Sequence, residues 1–135
     1  PDLLIFAIGT NDSAFREPGH KSLVSIEDFR DNLEQLINEG KQFTDKIMFV
    51  GLAKGDDSKT IPLPRSSSGK NYTKEEVSKY NSVIKDVCGE ENIGFVDIYD
   101  DLRDEDFDDG VHPNLGGHQK IFEAVRRALK PYLPA

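Results

Sequence analysis

The residues with the clearest capacity for chemistry are Asp109-Gly110-Val111-His112, followed by Pro113-Asn114. A carboxylate three residues ahead of an imidazole, carried on a tight turn, can accept a hydrogen bond from the ring. Such a bond fixes the tautomer and leaves the second ring nitrogen free to take a proton. Asp109 is then the orienter and His112 a general base able to deprotonate a hydroxyl. The same residues also suit a plain surface turn, because Asp-Gly is a common turn pair, Pro113 pins the exit and Asn114 can cap a helix. A second stretch tips the balance. Gly9-Thr10-Asn11-Asp12 closes a very apolar run, at a glycine where backbone can pass close to a ligand. Alone, Asn11 would read as an Asx-turn residue serving its own loop.

Together the two stretches resemble the SGNH (GDSL) hydrolase family of esterases, lipases and related acyl hydrolases. The family's third block reads Gly-x-Asn-Asp, here Gly9, Thr10, Asn11 and Asp12; its fifth reads Asp-x-x-His, here Asp109 to His112 with Pro113 behind. Each motif is short, but their order and their separation by about a hundred residues make the pair specific. The resemblance implies a Ser-His-Asp triad in which Asp109 and His112 serve the serine. It also implies that the Asn11 side-chain NH2 donates to the oxyanion of the tetrahedral intermediate, a contribution of about 3 kcal/mol in such sites. Asp12 is expected to hold the loop. The first block, Gly-Asp-Ser-Leu-like and carrying the nucleophile, does not occur in this sequence, and neither does the second-block glycine. Gly55-Asp56-Asp57-Ser58 is only superficially similar to that first block, with an extra Asp, no Leu and a place after the second strand. Ser13, Ser58, Ser66, Ser67 and Ser68 read as ordinary loop residues.

Other titratable clusters read more blandly. His20 lies in a polar loop and His118 on the last helix, and no His-x-x-x-His or paired cysteine suggests zinc. Seven of the ten residues from Asp100 to Asp109 are acidic. Asp104, Asp106 and Asp108 match alternate positions of a calcium loop, but the glycine position is Asp109 and the twelfth is Leu115, so a solvated acidic loop is expected. No cofactor is implied.

Composition narrows the partners. Seventeen Lys and Arg against 25 Asp and Glu give a net charge of -8, which argues against nucleic acid and anionic membranes. No apolar run reaches the length of a membrane span. The single cysteine, Cys88, excludes an internal disulfide framework and fits a reducing compartment such as the cytoplasm. Pro1-Asp2 leads straight into Leu3-Leu4-Ile5-Phe6-Ala7-Ile8, and the only methionine is Met48. This reads as the C-terminal part of a longer domain.

The elements that must position these residues follow from periodicity. Leu3 to Ile8 is a continuous apolar run, as is Lys46 to Ala53 apart from its ends; both predict parallel strands covered on both faces. Gly94 to Tyr99 predicts a third, edge-like strand. Ser25 and Thr73 open capping boxes, with Ile26, Phe29, Leu33, Leu36 and Ile37 at helical spacing in one helix and Val77, Tyr80, Ile84 and Val87 in the next. Gly40 is expected to stop the first helix. Asn114 caps a third, with Ile121, Phe122, Val125 and Leu129 facing inward. Lys54 to Lys70 is long for a loop and reads as a functional wall or a mobile segment.

Residues 1–135 are therefore expected to form one domain of α/β class, a three-layer α/β/α arrangement with a parallel sheet of about three strands. The resemblance makes this a flavodoxin-like SGNH hydrolase fold short of two strands, with Leu3 to Ile8 left as a bare edge. The expected function is ester hydrolysis on a small-molecule or acylated-carbohydrate ester, with Asn11, Asp109 and His112 as catalytic residues. The serine lies outside this chain, and the bare edge pairs with the absent N-terminal part or with a second copy. The rival reading is a non-catalytic flavodoxin-like binding or interaction module.

Overall fold

Four consecutive apolar residues, Ile47–Val50, form a strand in which every residue is buried. A strand apolar on both faces needs cover on both, and the computed structural model, which describes residues 1–133, supplies it. In chain order the elements are β1 (Leu4–Phe6), β2 (Phe15–Arg16), β3 (Lys21–Ser22), α1 (Ile26–Gly40), β4 (Ile47–Val50), α2 (Lys74–Glu90), β5 (Gly94–Val96) and α3 (Leu115–Leu129). β4 is central in a parallel sheet of order β1-β4-β5, with Leu4 opposite Ile47 and Phe49 opposite Phe95.

Alternation along β4 divides the core. Ile47 and Phe49 pack with Phe29, Leu33 and Ile37 of α1 and Val77, Tyr80 and Ile84 of α2. Met48 and Val50 pack on the other face with Val96, Ile98 and Ala124, beneath Ile121, Val125 and Leu129 of α3. Two helices on one face and one on the other make the expected three layers. Phe49, Ile37 and Ile84 are wholly buried, each a stabilisation of about 2 kcal/mol.

The strands are shorter than the apolar runs. β1 stops at Phe6, and Gly9 turns the chain away with φ +118. A Cβ at Gly9 would lie 3.1 Å from the Phe29 ring, so the turn also presses close to α1. Among the described residues β1 is an edge strand paired only with β4. Ile5 within it and Ile8 just beyond it are 40% and 46% exposed.

Two local expectations need correction, and a third holds for a different reason. α1 does end at Gly40, as expected, but not by a left-handed turn, since Gly40 is helical and the C-cap Lys41 is right-handed. Residue 40 is a glycine because a Cβ would sit 2.9 Å from Leu4 and 3.1 Å from Ile47. Phe122 does not face inward; it is 56% exposed, with the Arg126 guanidinium 6.0 Å from its ring. Ala124 takes the inward place, completing a stripe of Ile121, Ala124, Val125, Ala128 and Leu129 at helical spacing. The acidic run is not uniformly solvated either. Asp106 is 6% exposed, accepts from the Arg103 amide at 2.7 Å and pairs with Lys120, which ties the run to α3.

Candidate active site

The first turn of the site is the Asp109–His112 loop. Asp109 Oδ1 accepts from the Val111 amide at 3.0 Å and the His112 amide at 2.9 Å, while Oδ2 lies 2.8 Å from His112 Nδ1. One carboxylate therefore shapes the turn and orients the ring that the turn carries. Burial works against its charge, but the two amides and the imidazole outweigh burial and hold the carboxyl down at about 2. With Nδ1 bonded to a carboxylate, the His112 ring carries its proton there when neutral, and Nε2 is the free base. The His112 side chain is 72% exposed, so Nε2 is open to a reacting group.

Longer-range bonds clamp the base of this turn. The Asp108 amide donates to His112 O at 3.0 Å, and the Asp56 amide donates to Gly110 O at 2.8 Å. Gly110 has φ +95, and a Cβ on it would lie 2.5 Å from Thr60 Cγ2 and 2.8 Å from Asp56 O. The stretch 54–60 thus packs directly on the turn. Asp56, itself bonded by the Ser58 hydroxyl at 2.6 Å and the Ser58 amide at 3.1 Å, holds that stretch rigid. Of the two readings of the long loop, this part of it is a wall.

The second turn is the loop after β1, where Asn11–Ser13 forms one turn of 3-10 helix. Ser13 closes it, with its hydroxyl donating to Thr10 O at 2.7 Å, and the Asp12 carboxylate is bonded by its own backbone within the same turn. Among the described residues the Asp12 carboxylate bonds no other side chain, and partial burial raises its pKa. Asn11 is not an Asx-turn residue. Its Oδ1 accepts from the Tyr72 hydroxyl at 3.1 Å, from 61 residues away.

The two turns meet beyond the C-terminal ends of β1 and β5. Ala7, Ile8, Gly9, Thr10, Asn11 and Asp12 on one side and Val111, His112 and Pro113 on the other line a cavity of about 470 Å³. Asn11 and His112 therefore share one cavity although about a hundred residues separate them. Among the described residues no serine or cysteine lines it. Ser13 is 1% exposed and Ser58 is committed to Asp56. Cys88 is buried, with its thiol pushed up to about 11. The other two histidines lie elsewhere: His20 stacks on Phe15 at 3.8 Å with Nε2 3.2 Å from Glu76, and His118 is exposed on α3.

Residues 1–120 match the model of the GDSL-like lipase/acylhydrolase family. The chain belongs to that family. Aligned over its whole length, it is 29% identical to a multidomain esterase of Ruminococcus flavefaciens, of which it covers 16%. Its fold is similar to that of the lipase/acylhydrolase from Enterococcus faecalis, with a TM-score of 0.76 at 19% identity over 99% of this chain and 64% of that one. It is also similar to an acetylxylan esterase from Geobacillus stearothermophilus, with a TM-score of 0.73 at 20% identity over 100% of this chain and 63% of that one. The GDSL-like chain thus spans less than two thirds of both solved structures and a sixth of the multidomain esterase.

Sequence reasoning missed Tyr72; it offered a wall within Lys54 to Lys70 but not its packing on the Asp109–His112 turn. Tyr72 precedes a helix cap and carries no motif, and its partner Asn11 is distant in sequence. That packing had a faint signal in Gly55, whose φ of +78 shapes the approach to Gly110.

Proposed function

We propose that this chain is the C-terminal portion, within a single domain, of an SGNH-type serine esterase whose nucleophile is carried outside these residues. A serine placed in the shared cavity attacks the ester carbonyl, and its proton passes to His112 Nε2 as the Oγ–C bond forms. Asp109 keeps the ring in the required tautomer and balances the imidazolium. The Asn11 Nδ2 group donates to the oxyanion. Collapse of the intermediate expels the alcohol, which takes the proton from His112. Water then repeats the sequence on the acyl-enzyme and releases the acid.

The observation that supports this most is the 2.8 Å bond from His112 Nδ1 to Asp109 Oδ2, on a ring that shares a cavity with Asn11. The substrate class we infer is a small-molecule or acylated-carbohydrate ester, supported by the fold likeness to an acetylxylan esterase. We place the partner strand on the open flank of β1, from the remainder of the domain or from a second copy. The experiment is kinetic. In the protein that carries the serine, His112→Ala should abolish turnover of a short-chain activated ester, and Asn11→Ala should lower kcat by about 10²–10³. Full activity in His112→Ala would sink the proposal.

A further inference from the structure

We propose that Tyr72 is a positioning residue that aims the Asn11 amide so that its NH2 end faces the cavity shared with His112. This rests on the esterase reading above.

The argument begins with the amide itself. An asparagine side chain has an acceptor at one end and a donor at the other, and its terminal torsion is broad and nearly two-fold. An unrestrained Asn11 would offer oxygen or NH2 to an oxyanion almost indifferently, and only NH2 stabilises it. Electrostatic stabilisation depends on donors that are already oriented when charge appears. Something must therefore choose the rotamer. The Tyr72 hydroxyl donates to Oδ1 at 3.1 Å, which commits the oxygen. Among the described residues Nδ2 has no partner, and Asn11 lines the cavity of about 470 Å³ with His112.

Tyr72 can impose this choice because it is itself fixed. It is 4% exposed. Its amide donates to Thr60 O at 3.1 Å, and its carbonyl accepts from the Thr60 hydroxyl at 2.6 Å. Just before it, Asn71 exchanges two backbone bonds with Phe15, at 2.9 and 3.1 Å, which ties Tyr72 to the loop that bears Asn11. The phenol also stays a donor. Burial first, and then the charge of Asp109, push its pKa above the ordinary value. A phenolate would draw the NH2 end toward itself and turn the amide the wrong way. The Asp109 carboxylate that orients His112 thus acts in the same direction as burial on the Tyr72 hydroxyl.

The test is a double-mutant cycle on the protein that carries the serine, reading kcat, KM and thermal unfolding for Tyr72→Phe, Asn11→Ala and the pair. Phenylalanine keeps the buried ring and removes only the hydroxyl. The expected result is a fall in kcat of about tenfold for Tyr72→Phe, the scale of one lost hydrogen bond, with KM within twofold. In the Asn11→Ala background the same change should alter kcat by less than about twofold. As a second variant, Asn11→Asp keeps an acceptor for Tyr72 but offers no donor, and should lose as much kcat as Asn11→Ala. A kcat unchanged in Tyr72→Phe while Asn11→Ala is impaired would overturn the inference and leave the site reading intact. Equal losses in both backgrounds would also overturn it, because Tyr72 would then act on stability and not through the amide. An unimpaired Asn11→Ala would defeat the oxyanion reading itself.

Discussion

Asp109→Asn separates orientation from folding at one atom. The substituted side chain keeps Oδ1, so the Val111 and His112 amides, at 3.0 and 2.9 Å, retain their acceptor. What changes is the group that faces His112 Nδ1 at 2.8 Å, where an oxygen becomes an NH2. Two donors cannot meet, so the ring proton moves to Nε2, the nitrogen that should receive the serine proton. A wrong tautomer costs about 10⁴ in kcat in triads of this kind, or about 5 kcal/mol of barrier. Stability should fall far less. The carboxyl is held at about 2 against an ordinary 3.8, nominally about 2 kcal/mol. The side chain is 32% exposed, and solvent screening brings this to about 1 kcal/mol, or a few degrees in Tm. The sign follows from a depressed pKa: the contribution is fully present above about pH 4 and is lost as pH falls toward 2. The unfolding curves of the wild type and of Asp109→Asn should therefore converge on acidification. Ester turnover by the protein that carries the serine, thermal unfolding from pH 7 to 2 and imidazole nitrogen shifts would measure all three. An unchanged kcat would refute the orienter assignment. A loss of activity matched by global unfolding would refute the separation of roles.

The chain of residues 1–135 alone should hydrolyse activated esters no faster than buffer, because among the described residues no serine or cysteine lines the cavity of Asn11 and His112; turnover that vanished in His112→Ala would send the search for a nucleophile back into this chain. Gly110→Ala should destabilise by about 3 kcal/mol, combining a left-handed φ with a Cβ 2.5 Å from Thr60, and an unshifted thermal midpoint would contradict the clamp. The free flank of β1, with Ile5 at 40% exposure beside it, is a template for strand pairing. Sedimentation should show association of this chain in isolation, with protected amides along that flank; a monomer whose flank exchanges freely would count against a pairing role.

What was legible in the sequence was local. The Asp109–His112 bond spans three residues, so turn geometry alone brings its ends together, and the Ser25, Thr73 and Asn114 caps act over the same distance. The buried strand β4 and the stripes of α1 and α2 follow from period, because a two-residue or 3.6-residue repeat has one face to bury. Parallel pairing and the meeting of Asn11 with His112 beyond the strand ends could be inferred from the alternation of strands and helices. Choices made by distant packing were not legible. Ala124 faces inward in place of Phe122 because the rotation of α3 about its axis is settled by the space above β4 and β5. Gly40 is set by the approach of Leu4 and Ile47. The bond from Tyr72 to Asn11, across 61 residues, leaves no periodic or compositional trace, since a lone tyrosine reads the same whether its hydroxyl meets water or an amide. Only the packed fold, by desolvating that hydroxyl and holding its backbone on Thr60, gives it one partner.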